Sequence, residues 1–172
     1  MDILAKVRTV PDFPKPGIMF KDITTLLSDA EALRHVIDRM AARYRGRVDV
    51  VVGIESRGFV FGAPLAVALG VGFVPVRKGG KLPADVVRKA YSLEYGEAEL
   101  ELHRDAIAEG QRVVIVDDVL ATGGTMGAAC ELVEAVGGRV EEIWVLIELG
   151  FLNPRAKLPG RAIHAEAVLS GE

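Results

Sequence analysis

The chain has 172 residues, of which 50% are apolar, 26% charged and 6% aromatic, enough for one domain with a real core, so wholesale disorder is excluded. Its 21 Lys and Arg against 24 Asp and Glu leave a formal charge of −3, which excludes a global basic field for gripping nucleic acid. One cysteine (Cys130) excludes an internal disulfide and, with three His, is a poor basis for zinc, while 19 Gly make glycine placement the informative feature.

In chain order, residues 9–27 are rich in Pro with mixed apolar positions and fit no regular element. From Asp29 to Tyr44 the residues Leu33, Val36, Ile37, Met40, Ala41 and Tyr44 recur at helical spacing, with Ser28 or Asp29 as cap and Gly46 past the end. Val48–Ile54 is a β-branched run that predicts a strand buried on both faces. Gly58–Leu69 predicts a helix closed by Gly70, and Gly72–Val76 a second strand, in which Pro75 lacks an N–H and argues for an edge or a bulge. Residues 79–103 read as a flexible hairpin inserted before the third core strand, Arg112–Asp118. A helix over Thr125–Val136, ended by Gly137-Gly138, and a strand over Glu142–Glu148 follow. This alternation predicts an α/β fold with a central parallel sheet flanked by helices, and ligands beyond the carboxyl ends of its strands. Charge in Met1–Arg8, and no apolar run approaching the ~20 residues of a membrane span, lead to a cytoplasmic protein with no membrane partner.

The most informative stretch is Val113-Val114-Ile115-Val116-Asp117-Asp118-Val119-Leu120-Ala121-Thr122-Gly123-Gly124-Thr125. A small-residue turn between strand and helix lets several N–H groups and the helix dipole converge on one anion, with Thr122 and Thr125 as added donors. It is not a Walker loop, since no Gly-Lys-Ser/Thr follows. Thr-Gly-Gly-Thr alone is as readily a plain helix cap. Two acids just upstream would repel an anion unless they face neutral donors such as ribose hydroxyls.

This run resembles the signature of the type I phosphoribosyltransferases, which bind 5-phosphoribosyl-1-pyrophosphate (PRPP). Pro14–Thr24, Glu55-Ser56-Arg57-Gly58-Phe59, Arg77–Pro83 and Tyr91-Ser92-Leu93-Glu94-Tyr95-Gly96 are similar to segments of the adenine branch of that family, in order and over nearly the whole chain. The resemblance implies a Rossmann-like single domain, 1–172, with an N-terminal arm and base-binding hood (1–27) and a core (28–172) carrying the flexible hairpin. It implies transfer of the phosphoribosyl group from PRPP to adenine, giving AMP and pyrophosphate, with Mg²⁺ held mainly by PRPP and no direct protein metal site. Another purine base, or a PRPP-binding regulator, is the alternative.

By the same resemblance, Ala121, Thr122, Gly123, Gly124 and Thr125 cradle the 5′-phosphate while Asp117 and Asp118 hold the ribose hydroxyls. Glu55, Ser56, Arg57, Arg77, Lys78, Lys81 and Tyr95 meet pyrophosphate, with Arg77 reaching the neighbouring site of a homodimer. Without the resemblance, the alternative for Ser56-Arg57 is a helix cap with a surface Arg, and three cations around Gly-Gly are more often a solvated loop. Glu55 stands where the family often has Asp. Glu94 is implied as general acid or base at purine N7, in a lid that is otherwise an ordinary hairpin turn. Met19, Phe20 and Lys21 (Lys21 where relatives have Arg) and Leu149 are implied to contact adenine, Phe20 by stacking. Cys130, His35, His103, His164 and Trp144 read as structural.

Overall fold

The structure is a computed structural model and describes residues 1–93 and 95–171. The chain divides into two compact units, Met1–Ala42 and Arg43–Glu172.

In the first unit, β1 (Arg8–Pro11) and β2 (Met19–Asp22) pair antiparallel, from Arg8 opposite Asp22 to Pro11 opposite Met19. Of the prolines that hid this hairpin from periodicity, Pro11 ends β1 and Pro14 and Pro16 lie in the turn, where Asp12 is left-handed and its carboxylate accepts the Gly17 N–H at 2.8 Å. Asp22 accepts from Arg8 and from the N–H and hydroxyl of Thr24, which together hold it at about 2. Helices α1 (Thr24–Ser28) and α2 (Ala30–Tyr44) follow. Of the two expected caps Asp29 serves, taking the N–H groups of Glu31 and Ala32 at 3.0 Å.

In the second unit the described residues form β3 (Val50–Ile54), α3 (Arg57–Leu69), β4 (Gly72–Lys78), β5 (Val86–Ser92), β6 (Glu97–His103), β7 (Arg112–Leu120), α4 (Gly124–Ala135), β8 (Arg139–Leu149) and β9 (Ile163–Leu169). Their seven-stranded sheet has the order β5-β6-β4-β3-β7-β8-β9. Strands β4, β3, β7, β8 and β9 run parallel, and the β5–β6 hairpin adds antiparallel at the β4 edge. Pro75 keeps its place because β6 meets β4 only at Arg77 and Lys78, so no ladder bond is asked of its missing N–H. Strand β9 was not expected: Ile163-His164-Ala165-Glu166-Ala167 is weakly apolar and half-buried, as befits an edge.

Side-chain alternation assigns the two faces of the sheet. Val50, Val52, Ile54, Val113, Ile115, Ile143 and Val145 pack in one core with Met126, Ala129, Cys130 and Val133 of α4. On the other face Phe61 of α3 meets Trp144, ring centroids 5.5 Å apart. A Cβ on Gly53 or Gly62 would strike the Phe73 ring at 2.7 or 2.8 Å, so both glycines give that ring its space. Trp144 is fully buried and its Nε1 donates to Glu166, as a packing role requires.

Candidate active site

Chain order reverses direction across the sheet between β3 and β7: β4 lies on one side of β3, and β7 on the other. This is a topological switch point, where loops leaving neighbouring strands diverge and open a crevice at their carboxyl ends. The registers bring Glu55 after β3, Arg77 and Lys78 at the end of β4, Asp117 and Asp118 near the end of β7, and Leu149 closing β8 to that same end.

At the switch point α3 starts hard against β7. A Cβ on Gly58 would lie 2.6 Å from the Val116 carbonyl oxygen and 3.3 Å from Asp117 Cα, so a side chain there has no room. This close approach sets Arg57 beside the acids, and its Nε donates to Asp118 Oδ2 at 2.5 Å. Asp118 is 4% exposed, and its N–H donates to Asp117 Oδ1 at 2.9 Å. Burial, then the charge of Asp118, push the Asp117 carboxyl well above the usual range, with Arg57 opposing.

Beyond β7, Ala121–Thr125 turns into α4, with Gly123 at φ +92° as N-cap. The unbonded N–H groups of a first helical turn point outward there. A Cβ on Gly123 would lie 2.7 Å from the Pro154 carbonyl oxygen and 3.4 Å from Lys157 Cβ, so the Pro154–Lys157 turn walls the loop on one side. On another, Tyr91 Cδ2 and the Ser92 carbonyl lie 3.7 and 3.9 Å from the Cβ position of Gly124. Neither wall was expected from sequence; only the turn-forming Asn153-Pro154 hinted at the first.

The cationic residues are held individually. Glu55 accepts Arg77 Nη2 at 3.1 Å, Arg77 Nε at 3.3 Å and the Lys78 N–H at 3.0 Å, and the Arg77 guanidinium holds its carboxyl below the usual range. The Glu55–Ser56 peptide is cis. Glu101, buried on β6, accepts the Gly80 N–H at 2.5 Å and Arg88 Nε at 3.2 Å, which fixes the turn before Lys81. Lys78 and Lys81 are exposed.

Residues 23–159 match the phosphoribosyl transferase domain family. The chain is 56% identical over 165 residues, 95% of each chain, to the adenine phosphoribosyltransferase of Chloroflexus aurantiacus. The chain belongs to the adenine phosphoribosyltransferase family. Among solved members it superposes on the Thermoanaerobacter pseudethanolicus enzyme with a TM-score of 0.93 at 54% identity, covering 97% of this chain and 98% of that one. It matches the Trypanosoma brucei enzyme, solved with AMP, pyrophosphate and ribose-5-phosphate, with a TM-score of 0.88 at 27% identity over 96% of this chain and 78% of that one.

Of the family's other implied positions, Glu94 lies outside the described residues, and Tyr95 is 78% exposed. Leu149 is half-buried and paired with Leu169 of β9. Met19, Phe20 and Lys21 are on β2 in the first unit, where the Phe20 ring meets Phe13 edge-on at 5.1 Å and Lys21 Nζ donates to Thr9 Oγ1 at 2.9 Å.

Proposed function

We propose that this chain transfers the phosphoribosyl group of PRPP to adenine, forming AMP and pyrophosphate in purine salvage. The observation that carries this is the run of β7 through two acids into the small-residue N-terminus of α4 at the switch point. The ligands named for the Trypanosoma brucei relative support the same substrate set.

In this reading the N–H groups and hydroxyls of Ala121–Thr125 hold the 5′-phosphate, and Asp117 and Asp118 accept from the ribose hydroxyls. The same carboxylates favour positive charge building on the ribosyl ring as the C1′–oxygen bond to pyrophosphate breaks, the oxocarbenium character shared with glycoside hydrolysis. Arg57, Arg77, Lys78 and Lys81, with the backbone at Glu55 and Ser56, receive the departing pyrophosphate, and Tyr95 covers it. Met19, Phe20, Lys21 and Leu149 hold the base, while Glu94 exchanges the purine N7 proton as N9 bonds to C1′. A lid over residues 79–103 keeps water from the ribosyl group.

Mg²⁺ belongs to this reading. Phosphate and hydroxyl oxygens are the hard ligands Mg²⁺ prefers, so in this reading PRPP itself holds most of the ion, with no direct protein ligand. When bound, the ion neutralises charge on the leaving group. A homodimer with Arg77 reaching the neighbouring site completes the proposal; Val60, Pro64, Val67 and Ala68 leave an apolar stripe along α3, with Val67 83% exposed, that a second copy would cover. No helix among the described residues is long and apolar enough to cross a membrane, and we assign the enzyme to the cytoplasm.

The test is AMP formation from adenine and PRPP, with and without Mg²⁺, beside guanine, hypoxanthine, xanthine and orotate. AMP from adenine alone, dependent on Mg²⁺, is expected; no turnover of adenine overturns the reading.

A further inference from the structure

Glu148 is a carboxylate with no part in the reaction described above, yet it is buried at the carboxyl end of β8, one residue before Leu149 and in register with Leu120 of β7. Its two oxygens accept Arg155 Nε at 2.9 Å and Arg155 Nη2 at 2.8 Å, a bidentate pair in which the Glu148 side chain is 5% exposed. Burying a carboxylate is costly unless a well-placed partner and hydrogen bonds offset it, so this geometry fixes Arg155 tightly. Arg155 in turn sits inside Pro154–Lys157, a single turn of 3-10 helix too short to fix its own place against α4. The turn begins at Asn153 in the left-handed region and carries the Pro154 carbonyl to within 2.7 Å of the Cβ position of Gly123. It ends on Leu158, 3% exposed in the α4 core.

We propose that the Glu148–Arg155 pair is a positioning device for the 5′-phosphate site: it clamps the Pro154–Lys157 turn against Gly123 and so sets the aim of the N–H groups opening α4. The proposal rests on reading Ala121–Thr125 as the phosphate cradle. Leu158 anchors the far end of the turn, so the fold does not depend on the pair. Leu149 is held separately by its ladder to β9, so the base side is insulated from the pair. Groups that orient an anion lose much of their effect when displaced by an ångström, which makes a supporting ion pair measurable through binding.

The experiment uses the full-length enzyme and compares Arg155→Gln, Arg155→Lys and the double variant Glu148→Gln/Arg155→Gln. The double variant leaves no unpaired buried charge, so binding is read on a folded protein even where Arg155→Gln alone is destabilised. Calorimetric titration with ribose-5-phosphate, which carries the phosphate without pyrophosphate, is expected to show affinity about tenfold weaker in the double variant. The KM for PRPP rises in parallel, while the KM for adenine and inhibition by pyrophosphate stay within about twofold of the parent. Arg155→Lys recovers part of the loss, because it keeps the charge but not the fork. Unchanged ribose-5-phosphate affinity in the double variant overturns the proposal, as does an equal loss for pyrophosphate, which marks general damage. Thr125→Val separates the underlying reading: if it too leaves ribose-5-phosphate binding intact, the cradle assignment fails, whereas if it alone weakens binding, only the clamp fails.

Discussion

Arg57 Nε donates to Asp118 Oδ2 at 2.5 Å, joining the first residue of α3 to the strand-end acid of β7. Each partner has a different destination in the proposed complex: Arg57 turns to pyrophosphate and Asp118 to ribose. Each group satisfies the other, so the two charges are paired at the mouth of the crevice. In that proposal, substrate binding exchanges one ion pair for two sets of contacts.

Asp118→Asn removes the charged acceptor and leaves an amide of the same shape. Loss of a hydrogen bond to a charged group costs about 1.5–3 kcal/mol. The KM for PRPP is expected to rise roughly ten- to a hundredfold, with a smaller change in the KM for adenine. Initial-rate kinetics check this, and an unaltered KM for PRPP counts against the ribose assignment.

Gly58→Ala drives a methyl group into the Val116 carbonyl, 2.6 Å from its position. The backbone on both sides belongs to regular elements, so relief needs α3 to move away from β7. Overpacking of this kind costs about 1–3 kcal/mol, and the unfolding midpoint should fall by roughly 2–10 °C. A melt matching the parent would show that the helix yields freely.

Asp117 carries a linkage with a definite sign. Its folded carboxyl is raised by burial and by Asp118, so between the ordinary carboxylate range and that raised value the folded state binds more protons than the unfolded one. Stability then falls as pH rises through this window, because the buried site must hold two adjacent charges. Asp117→Asn removes the slope. Its gain in unfolding midpoint over the parent should be larger at pH 8 than at pH 5, measured by thermal melts across pH; an equal or reversed difference contradicts the assignment.

Glu94→Gln keeps the size of the side chain and removes its proton exchange. A general acid or base contributes typically 10²–10⁴-fold, so kcat should drop by about two orders of magnitude or more while PRPP affinity, measured by titration, persists. Unchanged turnover would remove Glu94 from the chemistry.

What could be read from the sequence follows from short-range physics. Val50–Ile54 and Val113–Val116 announce buried parallel strands because residues covered on both faces must be apolar without alternation. Asp29 and Gly70 announce the ends of helices because capping and left-handed turns are local needs. The small-residue turn from β7 into α4 was legible for the same reason, since a strand-to-helix turn is written in consecutive residues.

The rest depends on residues far apart in the chain. Nothing near Gly58 in sequence says that Val116 will lie against it, nor anything near Gly123 that Pro154 will. The pairing of Arg57 with Asp118 and of Arg77 with Glu55 follows from strand order and register. Strand β9 is weakly apolar on its own and becomes a strand because β8 offers an unpaired edge. Sequence alone thus determined the central strands and helices and which ionisable and small residues stand at each loop end. The tertiary structure decided which of those ends meet, because the switch point between β3 and β7 exists only once the sheet has ordered its strands.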